Sequence, residues 1–175
     1  MTVKIPLDTI CVKSGVLCPN CRRKVESGLY DPFEVDLMRI LLDLEEKGES
    51  WLRNSEYVKA YMFDGFLVIL IRIRNSSGFN LNRTAKEIAR EIGAKFVKII
   101  DYRGRDLRYL AQQLLAPAKV YGVNIVYLPD GSTMYTIRVS RKDLHRLQVN
   151  KEVLEKALSK IYGEKVAIVP EVLSY

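Results

Sequence analysis

Cysteine, histidine and tryptophan are scarce in this 175-residue chain, at three, one and one. So few cysteines exclude a disulfide-stapled scaffold, and a single histidine leaves no His-Glu-x-x-His metal pair. No two glycines stand three residues apart, and neither a phosphate-cradling P-loop nor a dinucleotide-binding G-x-G-x-x-G occurs. A nucleophilic Cys–His pair would need one of the clustered cysteines together with His145, and a lone histidine is more often structural. Catalysis is therefore not expected. The longest apolar run, Phe66–Ile71, is six residues, far short of the roughly 20 that a membrane helix needs. Lys4 and Asp8 interrupt the first apolar stretch, so no secretory signal is supported. A cytoplasmic chain with no membrane partner and no small-molecule substrate is expected.

What is present is a core-forming composition, 48% hydrophobic against 28% charged, which excludes a disordered chain. The net charge of +7 is unevenly spread. Through Ala60 there are 9 Lys/Arg and 10 Asp/Glu; from Tyr61 onward there are 19 and 11. A basic excess confined to the second part favours a polyanion partner there and a different task for the first part.

All three cysteines lie between Cys11 and Cys21, among Ser14, Gly15, Pro19, Asn20, Ser27 and Gly28, which reads as a loop-built head with little core. Phe33, Leu37, Ile40, Leu41 and Leu44 then recur at helical spacing between Pro32 and Gly48, giving a helix with one buried stripe. Glu56–Phe63 and Phe66–Arg74 flank Asp64-Gly65, the signature of a tight hairpin, and Asn75 to Gly78 breaks the pattern. A helix over Arg83–Ile92 ends at Gly93 and precedes a strand over Lys95–Asp101. Asp106 opens the next helix and Pro117 stops it. Val120–Leu128 and Met134–Ser140 form a second hairpin around Pro129-Asp130-Gly131, followed by helices at Arg141–Leu147 and Lys151–Tyr162 and a strand at Val166–Val169. The order helix, strand, strand, helix, strand thus occurs twice.

The stretch Asp106–Val120, with Leu115-Ala116-Pro117-Ala118-Lys119-Val120, resembles the junction between tandem KH domains of NusA transcription factors. Ile137-Arg138-Val139 leading to Asp143, and Leu154–Ile168 with Gly163, resemble the rest of a type II KH domain; Arg83–Ile100 is similar to the second half of a preceding one. With the cysteine head, the chain resembles archaeal NusA-like proteins. The resemblance implies an α+β fold of tandem KH type II-like units, 31–104 and 105–175, after a small zinc-knuckle-like element at 1–30. It also implies RNA binding in transcription elongation or termination. KH domains clamp the nucleotide backbone with a GXXG loop, since glycine lets phosphates approach the backbone N–H groups. Here the equivalent segments are Phe79-Asn80-Leu81-Asn82 and Gln148-Val149-Asn150-Lys151, so both clamps are degenerate.

Cys18-Pro19-Asn20-Cys21 is a knuckle that lets two thiolates converge on one zinc, with Cys11 as a third ligand. The fourth ligand is Asp8, Asp31, Asp36, His145 or water, and a disulfide from Cys11 to a knuckle thiol or a metal-free head are the competing states. Between Arg72 and Lys119 there are 11 Lys/Arg against 4 Asp/Glu. The residues expected at RNA are Arg72, Arg74, Asn80, Asn82, Arg83, Lys86, Arg90, Arg103 and Arg105 around the first clamp segment. Around the second they are Arg138, Arg141, Lys142, Arg146 and Lys151. The cations neutralise phosphates without reading sequence; Tyr102, Tyr109 and Tyr121 are base-stacking candidates, though packing is the commoner role of such rings. The competing function is a protein-docking module on RNA polymerase or the ribosome.

Overall fold

The computed structural model describes residues 2–74 and 80–171. Two compact units divide the chain, Met1–Tyr102 and Arg103–Tyr175. The first contains helices α1 (Thr9–Ser14), α2 (Pro19–Glu26) and α3 (Pro32–Glu46), a single 3-10 turn at Ser50–Leu52, strands β1 (Glu56–Phe63) and β2 (Phe66–Arg72), α4 (Leu81–Ile92) and β3 (Phe96–Asp101). The second contains α5 (Leu107–Leu115), β4 (Val120–Tyr127), β5 (Thr133–Val139), α6 (Arg141–Leu144), α7 (Lys151–Tyr162) and β6 (Val166–Pro170). The break expected at Asn75–Gly78, and Phe79 of the first clamp segment, lie outside the described residues.

Each unit holds a three-stranded mixed sheet of one design. The hairpin pairs antiparallel, and the strand after the following helix joins its second member in parallel, in the orders β1-β2-β3 and β4-β5-β6. Both hairpins carry a bulge near the start of the first strand, between Tyr57 and Lys59 and between Val120 and Gly122. At the first hairpin turn, Asp64 and Gly65 both take positive φ, 49° and 86°, as a two-residue turn demands.

The head is not loop-built. Its turn-forming residues are the punctuation of two short helices. The Asp8 carboxylate caps α1, accepting from the N–H groups of Ile10 at 2.8 Å and Cys11 at 3.3 Å. Gly15 closes that helix in the left-handed conformation, and Pro19 occupies the first turn of α2. Helices this short do not persist alone. Packing holds them: Val3, Leu7, Cys11, Val12 and Cys21 belong to the same buried cluster as Leu37, Leu41, Trp51 and the inward residues of the sheet. This is also why α3 buries more than one stripe. Val35, Met38 and Leu42 are buried along with Leu37, Ile40, Leu41 and Leu44, and Arg39 Nε donates to the Val12 carbonyl of α1 at 3.0 Å.

No described helix is long and apolar enough to cross a membrane.

Candidate metal centre and nucleic-acid interface

Cys11 sits within α1, Cys18 is the N-cap of α2 and Cys21 lies in its first turn. Their three Sγ atoms lie within 4.8 Å of one another. The three cysteines are free in this structure. Each sulfur accepts one backbone N–H: Cys11 from Cys18 at 3.4 Å, Cys18 from Cys21 at 3.5 Å, and Cys21 from Asp8 at 3.3 Å. Such bonds favour a thiolate, the form that ligates metal. The Cys18 thiol is lowered from its ordinary value, by the Cys21 N–H first and by the neighbouring thiols next. At Cys11 the Cys18 N–H acts in the same sense, but burial and the other two thiols outweigh it and the net shift is upward. Cys11 and Cys21 are buried and Cys18 is half-buried. A soft three-sulfur set of this kind fits a metal of zinc's type.

Every Cys, His, Asp and Glu of the chain lies among the described residues, and the thiol triad is the one cluster of such groups close enough to hold a metal. The carboxylates foreseen as fourth ligands are otherwise engaged. Asp8 caps α1; Asp31 caps α3 and lies 3.9 Å from Lys59 Nζ; Asp36 lies 3.5 Å from Arg39. His145 is exposed at the C-cap of α6, in the second unit.

The residues foreseen at RNA fall into two groups by what their side chains meet. Arg83, Lys86 and Arg90 are exposed at three- and four-residue spacing on α4, hence on one helix face. Arg83 pairs with Glu87 at 3.5 Å, while Lys86 and Arg90 form no ion pair among the described residues. Arg141, Lys142, Arg146 and Lys151 are exposed on and after α6, with Lys151 at 3.7 Å from Glu155. Arg74 and Asn82 are exposed. Other members meet partners outside their own element while staying exposed or half-buried. Arg72 pairs with Glu56 at 3.3 Å and Arg138 with Glu171 at 3.2 Å. Arg105 donates to the Tyr162 carbonyl at 3.0 Å, and Arg103 stacks over the Tyr109 ring at 5.4 Å. Tyr121 is 44% exposed beneath Lys119 Nζ, whereas Tyr102 and Tyr109 are half-buried.

At both segments expected to stand in for a clamp, an asparagine caps the helix that follows. Asn80 Oδ1 accepts from Arg83 N–H at 3.3 Å and Asn150 Oδ1 from Glu152 N–H at 3.0 Å. The side chain thus takes up a helix-start donor that an anion would otherwise use.

The first unit also holds a buried polar network that the sequence pattern does not reveal. Glu34 is fully buried on α3 and accepts from Asp31 N–H at 2.8 Å, Ala60 N–H at 3.0 Å, the Tyr57 hydroxyl and Lys59 Nζ. Lys59 also donates to the Leu29 carbonyl at 2.9 Å and lies over Tyr30 and Tyr61. The signal available was the capping-box spacing Asp31-x-x-Glu34; its burial follows from tertiary packing.

No protein-family model matches the chain, and no curated protein matches it. A solved structure described as "Crystal structure of APE1850" is similar at 20% identity, covering 62% of this chain and 80% of its own, with a TM-score of 0.41.

Proposed function

We propose that this chain is a non-catalytic RNA-binding protein of NusA-like type, acting in transcription elongation or termination or on ribosomal RNA. Its two units are degenerate KH-like modules that hold the phosphate backbone electrostatically, and a structural zinc on Cys11, Cys18 and Cys21 orders the head. The observation that carries the RNA reading is the α4 face of Arg83, Lys86 and Arg90, two of whose cations have no ion-pair partner among the described residues. It stands beside a helix start already capped by Asn80. With both glycine clamps lost, contact is through side-chain charge, so affinity follows salt: log K falls by roughly 0.7 per log salt for each phosphate neutralised on a single strand.

The test is fluorescence anisotropy of the full chain against short single-stranded RNA at several salt concentrations, with DNA of the same sequence alongside. Micromolar or tighter binding that weakens steeply with salt is expected. No binding at low salt removes the reading. Zinc is tested separately, by metal analysis of protein purified without added metal, where well under one equivalent overturns it.

A second reading, a docking module on RNA polymerase or the ribosome, is favoured by one observation. Ile10 and Val16, next to the buried triad in sequence, are 77% and 72% exposed. Co-purification of such a host that survives nuclease supports that reading over the first.

A further inference from the structure

The head supplies three sulfur donors to a metal that ordinarily takes four ligands. Two 2.3 Å metal–sulfur bonds at the tetrahedral angle set their sulfurs about 3.8 Å apart. Since the three sulfurs already lie within 4.8 Å of one another, each pair closes by at most about 1 Å to seat one ion. The surrounding backbone is built for three thiolates, with one N–H donated to each sulfur.

None of the carboxylates Asp8, Asp31, Asp36, Glu34 and Glu45 completes the set without undoing something else. Asp8 is tied to the triad by its backbone N–H, which bonds to Cys21 Sγ, while its carboxylate caps α1. Moving its side chain onto a metal would release two N–H groups at the start of α1. Losing a helix cap of that kind costs about 1 kcal/mol. Asp31 and Asp36 are held at α3 by Lys59 and Arg39, and Glu34 and Glu45 are buried in hydrogen bonds of their own. Cys18 is the half-buried member of the triad, where the other two are buried.

We propose that the metal centre of the head keeps an exchangeable fourth position that takes a soft donor, a thiol or an imidazole, from outside the chain. The proposal rests on the zinc reading above and extends it. A closed four-ligand site only orders the polypeptide. A three-thiolate site with an exchangeable position also binds a ligand, and its chemistry selects sulfur and nitrogen donors over hard oxygen ones.

Cobalt(II) tests this, because its visible d–d bands report coordination number and donor type. The full chain is loaded with one equivalent of cobalt and titrated with imidazole and, separately, with 2-mercaptoethanol. Saturable shifts of the d–d bands with both ligands are expected at unchanged metal content. The same spectra are expected for Asp8→Asn, which preserves the cap, and for His145→Gln. Bands that do not respond to either ligand overturn the exchangeable position while leaving the metal site standing. A spectrum altered by Asp8→Asn or His145→Gln overturns it too, since the chain then provides the fourth ligand. Binding of half an equivalent with dimerisation overturns it in favour of two chains sharing one ion. Absence of any thiolate-to-cobalt charge-transfer band overturns the metal reading itself.

Discussion

Replacing Glu34 by alanine strikes the most concentrated polar contact in the first unit. Four donors lose their acceptor at once: the N–H groups of Asp31 and Ala60, the Tyr57 hydroxyl and Lys59 Nζ. Lys59 keeps the Leu29 carbonyl but loses its closest counter-charge, with only 18% of its side chain exposed to recover solvation. Removing one member of a buried ion pair costs about 3–5 kcal/mol. In a domain of this size each kcal/mol moves Tm by about 4–8 °C, so Glu34→Ala lowers it by on the order of 12 °C or more. Tyr57→Phe removes one bond to a charged acceptor, about 1.5–3 kcal/mol. The phenol is available as a donor at any ordinary pH, because burial, and after it the Glu34 charge, push its pKa far upward. Urea and thermal unfolding followed by fluorescence of Trp51, the chain's single tryptophan and 1% exposed in this unit, reads the transition directly. In the double variant the two losses are expected to be less than additive. A Glu34→Ala shift below about 4 °C, or strict additivity, would falsify the network.

Charge reversal at Arg83 and Lys86 together is expected to weaken RNA affinity and to flatten the salt dependence by roughly 1.4 in log–log slope, two phosphates' worth; anisotropy across a salt series reads both, and unchanged affinity removes α4 from the interface. Chelation, or Cys18→Ser, is expected to lower the Trp51 unfolding midpoint, because Cys11 and Cys21 belong to the same buried cluster as Trp51; a midpoint insensitive to both means the metal stabilises nothing. Gly93→Ala forces a side chain into φ +76° and should cost about 1–2 kcal/mol. At Gly122→Ala the added carbon meets only the flexible end of Arg138, and loss of its pair with Glu171 costs about 0–1 kcal/mol; a reversed order in denaturant titrations contradicts this. Asp143 is held below the usual carboxylate range, by the Lys119 N–H first and the Ser140 side chain next. A depressed native pKa stabilises above the unfolded value, near 4, and that stability is lost as pH falls through the native one; acid titration by circular dichroism should show Asp143→Asn less acid-sensitive than the parent.

Sequence punctuation located most elements because it acts through local backbone chemistry. Pro32, Gly93, Asp106 and Asp64-Gly65 each fix φ or a hydrogen bond within a few residues. Helix α7 runs from Lys151 to Tyr162 as its pattern indicates, whereas α6 stops at Leu144, three residues earlier than expected. The helices of the head are not legible locally, because Gly15 and Pro19 are as compatible with helix ends as with loops, and what decides between them is burial of Cys11, Val12 and Cys21 against distant residues. The thiol triad was legible from spacing alone. The engaged state of Arg72, Arg105 and Arg138 was not, since their acidic or carbonyl partners are 16 to 57 residues away.

The two hairpins differ at their tips, two residues at Asp64–Gly65 against five from Leu128 to Ser132, yet carry the bulge at the same place. The extra residue, Val58 or Tyr121, resets the alternation of side chains, so that Tyr57 and Ala60 in one unit, and Val120 and Val123 in the other, share a face despite their odd spacing. In the first unit this offset lets the Tyr57 hydroxyl and the Ala60 N–H reach the same Glu34 oxygen. Each hairpin therefore has a fixed end and a free end. Inserted residues can be accommodated at the tip, whereas deleting one residue at the bulge turns the strand over and exchanges its inner and outer surfaces.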